Sequence, residues 1–360
     1  MILINRGYSF KKSSTYNNYL VNPELNNKVN NTKALLDENQ KIWNRNKELI
    51  NDYRYIHNSN RTKSISNITP ISRSFFKLIE MIYELQLING KSIHTCSIGE
   101  GPGGFIDCIL KYSKDKDINI LCYGITLLSN SSKVPHWNNI LRNKDNIHLL
   151  DGYDGTGNIC NIYNQFSFIK TMKDKIDFVT CDGAIDYSDN YNNQETNSYE
   201  LLYSEIFLLL NIQKNGGNST IKFFDLQYIK TIQLIYILVI SYESVKIYKP
   251  NMSRISNSEK YIICKNYKHN KDITNYMLHM WDNKQDLALH IPDEFISDIN
   301  NYNNLHCNTL IQSITSVIQN TIHRKKNEVL IENSIQWCNK YNIPINYKCI
   351  HLKDKGNSYH

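Results

Sequence analysis

The chain has 360 residues, 41% of them hydrophobic, enough to bury a full core as one large domain with additions or as two smaller ones. Its net charge of +7 suits a polyanionic partner without demanding one, while nine cysteines, odd in number and never spaced as CxxC, argue against a disulfide frame or a zinc site and for free thiols in a reducing compartment. No apolar run is long enough to span a membrane and residues 1–20 are too polar for a secretory leader, so a cytoplasmic location is expected, with the nucleus left open.

Residues 1–66 read as a polar, basic N-terminal extension with one helix near 32–50 and a Tyr- and Arg-rich stretch, NDYRYIHNSNRTKS. Asparagine runs such as NNKVNNTK are assigned to an AT-rich genome, because hydrophobic periodicity persists around them. Residues 67–270 change character. Phe76, Ile79, Ile82 and Tyr83 fall at helical spacing over 72–87. Short apolar strands then alternate with helices: SIHTCSI, a helix from Gly104, INILCYGI, IHLL, IDFVTC, a helix over 195–211, STIKFF and a helix over 228–240. Strict alternation predicts an α/β protein with a parallel, doubly wound sheet. SVKIYK and EKYIICK follow with no long helix between them, and periodicity alone does not choose how they pair. Residues 271–360 read as a helical C-terminal extension, clearest in Leu310, Ile314, Val317, Ile318 and Ile322 and again over 329–337.

SIHTCSIGEGPGGF is a strand entering a turn and then a helix, where glycines let the backbone bend sharply and approach a ligand, and the helix start offers free N–H groups. Gly99, Gly101 and Gly104 also satisfy GxGxxG. A dinucleotide-binding protein should then place an acid at the end of the next strand, but that strand ends Tyr123, Gly124, Ile125, Thr126. No Lys-Ser/Thr pair follows the glycines, which argues against a P-loop.

Four charged residues mark element ends. Lys77 lies on the helix before the sheet, and Asp182 follows IDFVTC, where open α/β sheets place ligands. Lys222 stands inside an apolar strand, costly without partners, and Glu259 opens the final strand. Taken singly, each has a plainer explanation, such as a snorkelling lysine or a surface carboxylate.

Together with RSFFK, GEGPGGF, GITL, DGTGNI, CDGAID, GGxxxxKxFDL and SRxxNSEKYxxCK, which run in order over about residues 70–267, they make the chain resemble the FtsJ-like family of RNA 2′-O-methyltransferases. Within it, the resemblance is to messenger-RNA cap methyltransferases, among them those encoded by large DNA viruses; a viral source would place the protein in a virus factory or virion. The resemblance implies a Rossmann-like, mostly parallel seven-stranded sheet with helices on both faces and an antiparallel last strand. It implies S-adenosylmethionine as cofactor and a catalytic tetrad of Lys77, Asp182, Lys222 and Glu259. Cofactor contacts are implied for Gly99, Glu100, Gly101, Pro102, Gly103, Gly104, Phe105, Asn158 and Ile159, with Asp182 near the methyl donor and the Glu100 carboxylate facing the cofactor's amino-acid group. Many relatives carry Asp where Asn158 stands, which implies an altered cofactor affinity.

A ribose 2′-hydroxyl is a poor nucleophile, so the enzyme must align an in-line attack and help remove a proton. Lys222 is the residue expected at the 2′-oxygen, as a base or as a cation stabilising alkoxide charge, with Asp182 and Glu259 orienting the two lysines. No metal is required. RNA contacts are expected from Arg61, Lys63, Arg73, Arg254 and Asn257, and base stacking from Tyr53, Tyr55 or Trp137. The expected substrate is the capped 5′ end of mRNA, with no DNA or membrane partner. The alternatives are a ribose methyltransferase of rRNA or tRNA, an idle RNA-binding scaffold and, more distantly, a dehydrogenase.

Overall fold

The computed structural model describes residues 2–4, 7–15, 18–185, 191–322 and 326–353. A short strand β1 (Ile2–Ile4) precedes helices α1 (Pro23–Glu38) and α2 (Gln40–Asn46). The alternating part follows as α3 (Ser74–Leu85), β2 (Ser92–Ile98), α4 (Gly104–Lys116), β3 (Asn119–Ile125), α5 (Asn139–Arg142), β4 (Ile147–Leu150), α6 (Ile162–Met172) and β5 (Ile176–Cys181). It continues through α7 (Gln194–Ile212), β6 (Gln213–Phe223), α8 (Ile229–Ser241), β7 (Tyr242–Tyr248) and β8 (Lys260–Tyr267). Helices α9 (Lys271–Asp282), α10 (Asp293–Ile318), α11 (Asn327–Lys340) and α12 (Ile350–Lys353) follow. The helix expected near 32–50 begins instead at Pro23, because Pro at the first turn is pre-set for a helix and the Asn22 side chain accepts from the Leu25 amide.

The strands form one sheet in the order β1-β7-β8-β6-β5-β2-β3-β4. β2 through β6 pair in parallel, and β8 runs antiparallel between β6 and β7. The seven expected strands are present, and β1 adds an eighth at the edge, antiparallel to β7. Strand order reverses beside β2, so the crevice beyond the carboxyl ends of β2 and β5 is where such a sheet opens to a ligand.

Each face carries its own apolar cluster. One joins α6, α7 and α8 to α9 and α10, through Phe207, Ile237, Met277 and Phe295 among others. The opposite cluster joins α3 and α4 to α11, through Phe76, Ile109, Trp337 and Cys338. Both extensions therefore pack on the sheet's own layers. Helix α1 lies on α10, with Leu25 and Val29 against Cys307, Leu310 and Ile314. All nine cysteines are free, and only Cys160 is not fully buried. Among the described residues no helix is long and apolar enough to cross a membrane.

Candidate active site

Parallel β5 and β6 end at the sheet edge where antiparallel β8 begins, so Asp182, Lys222 and Glu259 arrive at one place from three strands. Lys222 pairs with Tyr261 across β6 and β8, and directly opposed residues share a face. The Lys222 ammonium donates to the Asp182 carbonyl oxygen at 2.6 Å and lies 3.1 Å from its Oδ1. Tyr261 donates its hydroxyl proton to that same Oδ1 at 2.9 Å. From the first turn of α3, the Lys77 Nζ reaches the Glu259 carboxylate at 2.7 Å, and Ser253 Oγ donates to Glu259 Oε1 at 2.8 Å. Lys249 ties the approach to β8 by donating to the Asn257 and Glu259 carbonyls at 2.8 and 2.7 Å. The four expected residues thus form two ammonium–carboxylate pairs.

Burial alone would depress the Lys222 pKa, but Asp182 and Glu259, with Glu205 behind them, reverse this and hold it above the ordinary lysine value. Burial would raise Glu259, yet Lys77 and Lys222 bring it down to about 2. Lys222 is therefore a cation at rest, which bears on the choice the sequence leaves open. Burial pushes Glu205 up to about 8; its Oε1 accepts from the Gly183 amide at 3.0 Å.

The glycine turn divides its work. Gly99 adopts φ +67°, and a Cβ there would stand 2.6 Å from the Gly183 Cα, so the turn and the Asp182 loop touch backbone to backbone. Gly99 and Gly101 line a cavity of about 490 Å³ with Thr126, Leu127, Asn158, Ile159, Asp182 and Lys222. The later part of the turn serves packing. A Cβ on Gly103 would strike Leu141, and one on Gly104 the hydroxyls of Ser72 and Ser74. Phe105 is fully buried. Glu100, expected to face a ligand, is turned inward: it is 3% exposed and accepts from the Phe105 and Ile106 amides at 2.6 and 3.4 Å. The free amides at the start of α4 claim the carboxylate first. Of the expected cofactor contacts, Glu100, Pro102, Gly103, Gly104 and Phe105 do not line the cavity, whereas Gly99, Gly101, Asn158, Ile159 and Asp182 do. The Asn158 Oδ1 accepts from the Cys160 amide at 3.0 Å, so the side chain's remaining resource is its NH₂ donor.

A nucleoside cofactor fits this cavity. Its volume lies within the roughly 300–1,000 Å³ of small-molecule sites. Leu127, Val134, Pro135 and Ile159 supply apolar walls, with polar groups at Asn158, Asp182, Asn197 and Glu200.

The expected RNA contacts separate. Arg254 and Asn257 line a second cavity, of about 400 Å³, whose opposite wall comes from α1 and α2 through Lys33, Asp37, Trp43 and Asn44, with Phe224 beside Lys222. Lys63 and Arg73 line a third. Arg61 lines neither cavity; it is exposed and donates to Asn67 Oδ1 at 3.1 Å. Trp137, a stacking candidate, is 5% exposed in the core beneath α4, and Tyr53 is half-buried against the same cluster. Tyr55 borders the third cavity. Trp43 and Tyr261 are the notable residues sequence reasoning missed: the one lies in a polar helix, the other among 25 tyrosines.

A doubly wound sheet whose order reverses beside a glycine turn, with a cofactor-sized cavity walled by the Lys222–Asp182 pair and a second pair, Lys77–Glu259, in the field of Lys222, defines the Rossmann-like methyltransferase class. More particularly, the chain belongs to the FtsJ-like methyltransferase family, whose model matches residues 70–267. It is 30% identical to cap-specific mRNA (nucleoside-2′-O-)-methyltransferase 2 of Drosophila melanogaster, over 59% of this chain and 32% of that one. The cap-specific mRNA (nucleoside-2′-O-)-methyltransferase of Autographa californica nuclear polyhedrosis virus is 31% identical over 49% of this chain and 68% of its own. The type 2 enzyme of Danio rerio is 25% identical over 88% of this chain and 46% of its own. The chain thus spans less than half the length of the two animal relatives.

Proposed function

We propose that this protein transfers a methyl group from S-adenosylmethionine to a ribose 2′-oxygen at the capped 5′ end of mRNA. The observation that carries this reading is the Lys222–Asp182 pair on the wall of the cofactor-sized cavity, with the Lys77–Glu259 pair in the field of Lys222. Bound S-adenosylmethionine supplies an activated methyl group. Gly99, Gly101, Ile159 and Asn158 would hold it. Lys222, already a cation, points its ammonium to where an incoming 2′-oxygen gains negative charge, and Asp182 with Tyr261 fixes that ammonium in place. Lys77 and Glu259 form the second pair beside it, so the site neither accumulates net charge nor has to reorganise as charge develops. The three relatives named for cap-specific 2′-O-methylation support the capped substrate. So does the second cavity, where the Trp43 indole and the Asp37 carboxylate offer a stacking face and an acceptor suited to guanine.

The test offers labelled S-adenosylmethionine with RNAs that differ only at the 5′ end, uncapped, G-capped or N7-methyl-capped, and maps the labelled sugar by nuclease digestion. Label on the 2′-oxygen of a cap-proximal nucleotide is expected. Lys222→Ala should lower transfer by about 10²–10⁴-fold while cofactor affinity stays within about threefold. Absence of label from every RNA, or equal loss of transfer and cofactor binding, contradicts the assignment.

A further inference from the structure

The third cavity, of about 620 Å³, is built where both extensions meet the start of α3. Arg54, His57 and Lys63 come from the N-terminal extension, His351 from α12 and Arg73 from the residue before α3. Its carboxylate, Glu48, is paired with Arg254 at 3.1 Å, and that pair stands between this cavity and the one holding Trp43. Arg73 links the cavity to the proposed reaction centre electrostatically, because its guanidinium lies in the field of both Glu48 and Glu259.

We propose that this cavity is the track for RNA phosphodiesters downstream of the methylated ribose, and that it grips them more tightly as the pH falls. The inference rests on the RNA-methylating reading above and adds where the strand leaves the site. Among the described residues three permanent cations face the cavity and its one acid is already paired, so the excess charge suits a polyanion. A base-sized, aromatic cavity on the far side of the Arg254–Glu48 pair accommodates the 5′ end, which leaves this side for the 3′ direction. The two imidazoles supply the pH dependence. His57 is held below the ordinary histidine value by burial and by Arg73, and packs on the Phe76 ring at 5.3 Å. His351 is lowered by burial and by Lys63 and Arg54, and lies 4.3 Å from the Tyr55 ring. The other charges near them are Glu48, Arg254 and Glu259. Burial and the cations Arg73, Lys63 and Arg54 therefore disfavour the charged form of both rings, and an arriving phosphate opposes that field and draws a proton onto each.

Phosphate could also come from the triphosphate bridge of the cap, so the experiment compares a capped dinucleotide with a capped RNA about ten nucleotides long, by fluorescence anisotropy. The wild-type chain should bind the longer RNA about tenfold more tightly, and this gain should widen from pH 8 to pH 6. Lys63→Glu, at an exposed position, should erase most of the gain and reduce the slope of log affinity against log salt by about 0.7 or more. His351→Gln should flatten the pH dependence, and His57→Gln with it should flatten it further. Equal weakening of dinucleotide and long RNA by Lys63→Glu would assign the cavity to the cap bridge and overturn the track, as would no effect on either. Methylation of RNA without any length gain sinks the track alone, whereas a wild-type chain that methylates no RNA sinks the functional reading.

Discussion

Tyr261 stands opposite Lys222 across two strands and gives its proton to Asp182, so a phenol completes a site described in the sequence by four charges. Tyr261→Phe keeps the ring and removes that one donor. Hydrogen bonds to charged groups are worth roughly 1.5–3 kcal/mol, so kcat should fall by about 10- to 100-fold. Steady-state kinetics with each substrate varied should show cofactor KM little changed. Glu205 gives a prediction in pH. Its folded pKa of about 8 stands above the ordinary value for a free glutamate, so the stability it contributes is fully present in acid and is lost as pH rises through about 8. Glu205→Gln should therefore raise Tm at pH 9 relative to the wild type and change it little at pH 5, by thermal shift at both. At this scale the sequence foretold which charges come together, Lys222 with Asp182 and Lys77 with Glu259. Glu100 was misassigned because adjacency to glycines says nothing of which side of a turn a carboxylate takes, and here helix amides claim it. Tyr261 stands in the SRxxNSEKYxxCK word, but its role was not legible there, since it depends on cross-strand register.

Strand positions were legible to within a residue or two for β2, β4 and β5, short hydrophobic stretches of which β2 and β5 are buried over most of their length while β4, at the sheet's edge, is only partly so. β6 starts earlier than its apolar run because its first residues, Gln213 to Gly217, are polar or glycine. Helix α6 left no clean period, because Asn164 and Gln165 are buried for hydrogen bonding: Asn164 donates to Asp154 Oδ1 at 2.8 Å and Gln165 to the Ile159 carbonyl at 2.6 Å. The role of α1 was also hidden. Its Lys33 reaches Asp225 at 2.6 Å, both side chains about one-tenth exposed, and so anchors the helix to the segment just beyond Lys222. Lys33→Met should cost about 2–4 kcal/mol in urea unfolding, because Asp225 stays buried with less compensation. Unlike a surface pair, the loss should persist in high salt, and its disappearance there would contradict the burial.

At the scale of the molecule, the family match ends near residue 267, but the packing does not. Glu80, fully buried on α3, receives the Trp337 indole N–H at 3.3 Å and the Tyr248 hydroxyl at 2.7 Å, so α11 satisfies a carboxylate inside the sheet domain. Met277, Phe295 and Ile299 do the same for the other face by apolar contact. A chain trimmed to residues 70–267 should therefore aggregate or bind a hydrophobic dye at temperatures where the full chain stays soluble; a stable, monomeric fragment would show the extensions to be dispensable. Boundaries drawn from composition could not foresee this, since composition reports the surface of a segment and not what its apolar stripe covers. The distribution of sulfur has a last consequence. Eight thiols are sealed in the interior and the ninth, Cys160, borders the cofactor cavity with its pKa pushed up to about 11 by burial. An alkylating reagent would thus meet a single slow nucleophile whose modification rate registers whether the neighbouring pocket is filled, a built-in occupancy gauge that needs no engineered label.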